Sequence, residues 1–320
     1  MVETLLQSAP ALAWVGFLLL VALMLALDLG VFNRNTHAPS LRESAVWSCV
    51  WVALSLAFNA VVWMSEGAQR GAEWFTGYVL EKSLSVDNLF VFVMVFRAFA
   101  VELRHQHRIL YWGILGALVF RAAMIMGGAA LLNRFEWMMY VFGAFLVWTG
   151  LKMFSPEKKT GDPSSGAVVR VFRKLVPFDP EGGHLRPFSR KDRLRATPML
   201  LVLLVVEFTD LVFAVDSIPA VLAITRDLFV VFTSNIFAIL GLRSLYFLLA
   251  GMMDRFRRLK TGLAVILTFV GLKMCLAHWV KASFGIPDGA AIVASLAFIS
   301  AVLVVSVLPG LLSRRAVGGP

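Results

Sequence analysis

The sequence predicts an all-α, polytopic membrane protein of about nine transmembrane helices. Three observations predict it. Of 320 residues, 59% are hydrophobic and only 16% charged, and the mean hydropathy is +0.79; soluble domains run nearer half apolar and a quarter charged. The apolar residues come in blocks of about 20, the length that crosses a hydrocarbon core as a helix. The blocks are continuously apolar rather than alternating, which excludes a transmembrane β-barrel.

In order, the expected spans are 11–32, 42–64, 75–97, 108–132, 135–153, 198–223, 228–252, 260–281 and 289–311. The first reads as a retained span: no basic residue precedes it and no small-residue cleavage site ends it. The nine tryptophans lie mostly near span ends and read as interfacial anchors. Cys49 and Cys275 both fall inside spans and offer no disulfide or metal framework.

The net charge of +10 could suggest a nucleic-acid partner, but its distribution argues for a bilayer instead. With nine spans, one side receives 33–41, 98–107, 154–197, 253–259 and the C-terminal tail, and with flanking residues holds 22 of the 30 Lys and Arg. The other side holds four, Arg70, Arg134, Arg226 and Lys281. Basic loops stay cytoplasmic, so the expected topology is N-terminus outside and C-terminus inside. The segment 154–197, with ten Lys or Arg between 156 and 195, reads as a partly disordered cytoplasmic linker that enforces topology. Contact with anionic lipid or a protein partner is the alternative for that loop.

Two stretches repeat. EKSLSVDN (81–88) and DLVFAVDS (210–217) each place an acid six residues before an Asp that follows Val. Arg121 in GALVFRAAM then matches Arg243 in ILGLRSLYF, and GLKMF (150–154) matches GLKMC (271–275). The repeated unit is three spans, 3–5 recurring as 6–8. Three is odd, so the second copy is expected to be inverted, as in secondary transporters whose sites lie at the repeat interface. The expected organisation is two peripheral helices (1–74), a first three-helix repeat (75–153), the basic loop (154–197), the inverted repeat (198–281), and a last helix with its tail (282–320).

Six acids fall inside spans: Asp28, Glu81, Asp87, Glu207, Asp210 and Asp216. Each costs about 2.5–3.5 kcal/mol at mid-bilayer unless it meets a partner or a polar cavity. The alternative to a functional role is pairing with the in-span bases Lys82, Arg121, Arg243 and Lys273. At about 100° per residue, Glu81 and Asp87 point roughly 120° apart, as do Asp210 and Asp216. Convergence therefore needs the two repeats to face each other, or a local break. Pro219 is the candidate break, since it leaves the Val215 carbonyl without its helical donor. Glu207 and Asp210, three apart, share a face.

Carboxylates with Asn88, Thr209 and Ser217 nearby form an all-oxygen environment suited to magnesium, calcium or manganese. Histidine offers no zinc-type cluster, as His37, His105, His107 and His184 read as loop residues and His278 lies near a span end. Arg121 and Arg243 either neutralise the acids when cargo is absent or lock helices through backbone carbonyls. No catalytic word such as HExxH or a buried Ser–His pair is present, so neither an enzyme nor a resident cofactor is expected.

EKSLSVDNLFVF (81–92), EFTDLVFAVDSIPAV (207–221), SNIFAILGLRSLYFLL (234–249), LDLGVFNR (27–34) and GLKM (271–274) resemble the TerC family of bacterial membrane proteins, within the LysE-like transporter superfamily, and among them the Alx-type manganese exporters. The resemblance implies a multi-pass protein of the bacterial inner membrane that exports manganese. The family's motifs contain the acids Glu81, Asp87, Glu207, Asp210 and Asp216. The expected metal ligands are Asp87 and Asp216 first, then Glu81 and Asp210, with Asn88 and the Val215 carbonyl as helpers and Glu207 also in the set. Arg121, Arg243, Lys82, Lys273 and Asp28 are expected as supporting charges. Intramembrane carboxylates, which must lose a proton to bind a cation, would suit proton antiport, and the same residues would serve a uniporter. The rival reading is a membrane partner that supports tellurite or metal resistance, or secretion, without moving ions.

Overall fold

A computed structural model describes residues 10–32, 40–154, 166–179, 187–190, 194–250, 259–284 and 287–312. Eleven helices run α1 (Ala11–Phe32), α2 (Leu41–Glu66), α3 (Ala68–Ala98), α4 (Leu103–Arg134), α5 (Met138–Met153), α6 (Ala167–Leu175), α7 (Pro198–Leu222), α8 (Leu228–Leu240), α9 (Leu242–Ala250), α10 (Leu259–Phe284) and α11 (Asp288–Leu312). Every expected span coincides with one of these helices or, for 228–252, with the α8–α9 pair. By length and composition, α2, α4, α7, α10 and α11 contain stretches fit to cross a bilayer. The α8–α9 pair qualifies as one span bent by 43°. Of the rest, α1 and α5 have shorter apolar stretches, and α3 carries Glu73, Glu81, Lys82 and Asp87.

Local chemistry sets several boundaries. Ser40 caps α2 by accepting from the Glu43 amide at 3.2 Å. Gly67, at φ +96°, turns the chain from α2 into α3, a conformation that favours glycine. Asp227 caps α8 by accepting from the amides of Phe229 and Val230. Pro198 occupies the first turn of α7, where its missing N–H costs nothing.

In the packing, α3 lies on α8, α4 lies on α7, and α5 crosses α10. The α5–α10 crossing is the tightest. A Cβ on Gly150 would sit 2.7 Å from the Thr268 amide nitrogen and 2.8 Å from the Ala264 oxygen. One on Gly271 would sit 2.7 Å from the Val147 nitrogen and 2.6 Å from the Gly143 oxygen. The contacts are reciprocal: Gly271 stands 121 positions after Gly150, and Gly143 and Val147 stand 121 before Ala264 and Thr268. Small residues allow this backbone approach inside a membrane.

Four features differ from the sequence expectations. Helix α7 continues through Pro219, and the interruption in this half lies instead between Leu240 and Leu242, at Gly241. The basic segment is more than a linker: it contains α6 and a hairpin of β1 (Phe188–Arg190) and β2 (Leu194–Ala196). Val169, Phe172 and Ala196 from it are buried with Phe92, Val95, Phe96 and Met199. Trp51 and Trp74 are core residues rather than interfacial anchors, with Trp74 fully buried and donating to Thr233 Oγ1 at 2.9 Å. His105 and His107 lie in the first turns of α4 rather than in a loop, while His37 and His184 lie outside the described residues.

Candidate cation site

Among the described residues, a charged centre is buried where α3, α4 and α7 meet. Arg121 of α4 is 1% exposed and reaches acids from both sides. Its Nε and Nη2 donate to Asp210 Oδ2 and Oδ1 of α7 at 3.2 and 3.1 Å, a side-on bidentate pair. Its Nη1 donates to Glu81 Oε1 of α3 and, at 3.4 Å, faces Asn235 Oδ1 of α8. Glu81 and Asp210 are 0% and 4% exposed. Two carboxylates share a single guanidinium, so when both acids are ionised the trio carries a net negative charge.

Several polar atoms on the helices that carry or touch this trio have no protein partner. Glu81 Oε2 and Asn235 Nδ2 are buried without a hydrogen bond, as are Ser85 Oγ, Asn88 Nδ2 and Ser217 Oγ. Glu81, Ser85 and Asn88 fall at i, i+4 and i+7, one face of α3. Asp210 and Ser217 fall at i and i+7 on α7 and are equally buried. The two acid motifs thus present matching polar faces towards the bundle interior. Buried polar atoms left unpaired are costly, so these faces are a candidate ligand surface among the described residues.

A cavity of about 350 Å³, counting the space at its mouth, adjoins this centre. Leu89 and Phe92 of α3, Leu110 to Ala117 of α4, Val206 of α7 and Leu242 form its apolar wall. Its polar lining is Glu207, Asp210 and Arg243. The lining lies beyond Glu81 along α3 and ahead of Arg121 along α4, so the cavity is on the α3–α4 turn's side of the charged centre. Gly116 makes room for Glu207: any Cβ there would collide with the carboxylate.

The remaining expected residues lie elsewhere. Asp87 and Asp216 are half-buried rather than buried like the central pair. Asp216 Oδ1 accepts from Thr149 Oγ1 of α5 at 3.2 Å. Lys82 points at the bend, donating to the Ala238 carbonyl at 3.0 Å. Lys273 is half-buried on α10, and Asp28 lies on α1 with its side chain outside the described residues. Among the described residues, no three of His, Cys, Asp and Glu are grouped closely enough to hold a metal ion. The structure brings Glu81 and Asp210 together and does not gather all four motif acids at one point. Asn235, Ser85 and Thr149 join the candidate set from the structure; uncharged polar residues inside apolar runs gave only a faint signal.

Residues 66–317 match the integral membrane protein TerC family. The chain is 48% identical to "Uncharacterized membrane protein STKORF319" of Myxococcus xanthus over 309 residues, covering 96% of this chain and 94% of that protein. It is 47% identical to "Putative membrane-bound redox modulator Alx" of Salmonella typhi, over 84% of this chain and 86% of the relative. The Escherichia coli K12 protein of the same name is 46% identical, over 84% and 87% of the two chains. No solved structure matches. With its family match spanning most of the helices and both repeated acid motifs, the chain belongs to the TerC family of integral membrane proteins.

Proposed function

We propose that the chain exports divalent metal cations, manganese foremost, across the bacterial inner membrane, with the N-terminus outside and the C-terminus in the cytoplasm. One observation carries this reading: acids from two repeated motifs meet one arginine deep in the apolar bundle, and buried oxygen and amide groups on the same helices lack partners. A purely structural cluster would be expected to satisfy its polar atoms. Here Glu81 Oε2 and Ser217 Oγ are spare acceptors of the hard-oxygen type that suits manganese. In this reading α3–α5 and α7–α10 are inverted repeats, supported by the reciprocal glycine crossing of α5 and α10.

The mechanism follows from charge. A cation entering through the Glu207 cavity reaches Asp210, and its charge competes with the Arg121 guanidinium for the two carboxylates. Cargo displaces arginine, and arginine displaces cargo on the far side. Release of Arg121 is the differential interaction that alternation between states requires. Protonation of the acids would serve the return step, because a carboxylate must lose its proton to bind metal.

Manganese efflux from proteoliposomes, with and without an imposed pH gradient, tests the proposal. Efflux that is faster with an inward proton gradient is the expected result; no manganese flux under either condition overturns it. The folded basic segment favours one second reading, a membrane partner acting through α6 and the hairpin. Under that reading, deleting 156–195 abolishes the cellular phenotype while any manganese flux persists.

A further inference from the structure

The circumference of α6 is divided in a way that the bundle alone does not explain. At about 100° per residue, Val169, Phe172 and Val176 fall within an arc of about 60°. Val169 and Phe172 are buried against the ends of α3 and α7, and Val176 packs beside them. The next arc, about 100° wide, holds Arg173, Arg170 and Lys174, all exposed. The remaining arc holds Val171 and Leu175, which are 56% and 74% exposed. No acidic residue occurs between Gly166 and Phe178 to neutralise the basic arc. Arg173 also lies over the Phe178 ring at 5.3 Å, which holds this end of the segment against the helix.

A helix facing only water would not leave Leu175 and Val171 uncovered beside a basic stripe. A helix lying in a membrane interface needs that arrangement: apolar side chains towards the acyl boundary and basic ones at headgroup level. We propose that α6 is an interfacial helix, and that the basic arc binds the anionic phospholipid headgroups of the adjacent leaflet while Val171 and Leu175 enter the acyl boundary. Charge complementarity selects this occupant. The buried side of α6 belongs to the same apolar cluster as the cavity-lining Leu89, Phe92, Leu110 and Ile114. Lipid charge therefore helps hold α6 against the end of the bundle that carries the cavity. The proposal is independent of what the protein transports.

The test uses the full chain with Cys49→Ser and Cys275→Ser, bearing Leu175→Cys labelled with a small fluorophore. It is reconstituted in vesicles of brominated phosphatidylcholine, with or without phosphatidylglycerol. Quenching is expected at position 175, rising when phosphatidylglycerol is present and falling in high salt. Arg170→Gln and Lys174→Gln should each weaken the phosphatidylglycerol-dependent part about fivefold. Unchanged gel-filtration and thermal midpoints in detergent show that the variants remain folded. Absence of quenching overturns the proposal, as does quenching indifferent to headgroup charge. A label equally shielded in lipid-free detergent also overturns it, assigning the face to a second copy of the chain.

Discussion

The two halves of the bundle carry the same words and hold them differently. In α3–α5, the arginine helix runs unbroken from Leu103 to Arg134 and Arg121 is clamped by Glu81 and Asp210 together. In α7–α10, the matching helix is bent by 43° at Gly241, two residues before Arg243, which lines the cavity beside Glu207. Lys82 donates to the Ala238 carbonyl, and the carbonyl's i+4 position, Leu242, lies across that bend. Equivalence in sequence thus coexists with inequivalence in conformation. In the transporter reading proposed above, two like halves facing opposite ways would be asymmetric in any one state, and the other state would be reached when they exchange roles.

The largest expected effect separates the two arginines. Arg121→Met leaves two buried carboxylates without their cation and should cost about 3–5 kcal/mol of stability, read as a loss of folded protein or a lower melting midpoint in detergent. Arg243→Met should cost clearly less. Equal losses would mean that the two halves bear the same load and would break the comparison. Next come the acids: Glu81→Gln and Asp210→Asn should each lower manganese efflux at least about tenfold, the scale on which altered metal surroundings act. Asp87→Asn and Asp216→Asn should lower it less. If the half-buried pair proves more sensitive, the ligand set centres on them and the Arg121 trio is structural.

A smaller effect probes the crossing that both halves share. Gly150→Ala and Gly271→Ala each place a methyl group against backbone of the partner helix and should destabilise by about 1–3 kcal/mol. Similar melting shifts for the two would support their reciprocity; a shift for only one would refute it. The smallest belongs to the bend. Gly241→Ala directs a methyl group towards Lys82 Nζ and the Trp51 side chain, at 2.9 and 3.0 Å. A flexible lysine can yield, so a cost of about 1 kcal/mol or less is expected, together with altered transport rates if the bend moves during the cycle.

Much of this was legible in the residues, for identifiable reasons. Long apolar runs and buried charge are strong local signals, so the helices, the acids of the two motifs and both arginines could be marked from sequence. The partition among the acids was less legible. Helical angle showed that Glu81 and Asp87 diverge, yet only the docking of α3 against α8 and α7 decides which one faces inward. Pro219 attracted attention as a breaker because proline lacks a donor. The bend falls instead at Gly241, where Lys82 supplies a donor to a nearby carbonyl from another helix, a tertiary effect invisible to a local rule. In the basic segment, Val169, Phe172 and Val176 carried a helical period that the surrounding charge concealed.

The adjacency of Glu81 and Lys82 has a mechanical consequence. One peptide unit of α3 carries both the carboxylate that reports on the charged centre and the ammonium that holds the bend in the opposite half. A rigid helix cannot displace one without displacing the other. A shift of α3 that loosened Glu81 from Arg121 would therefore also move the Lys82 ammonium that donates to the Ala238 carbonyl beside the bend.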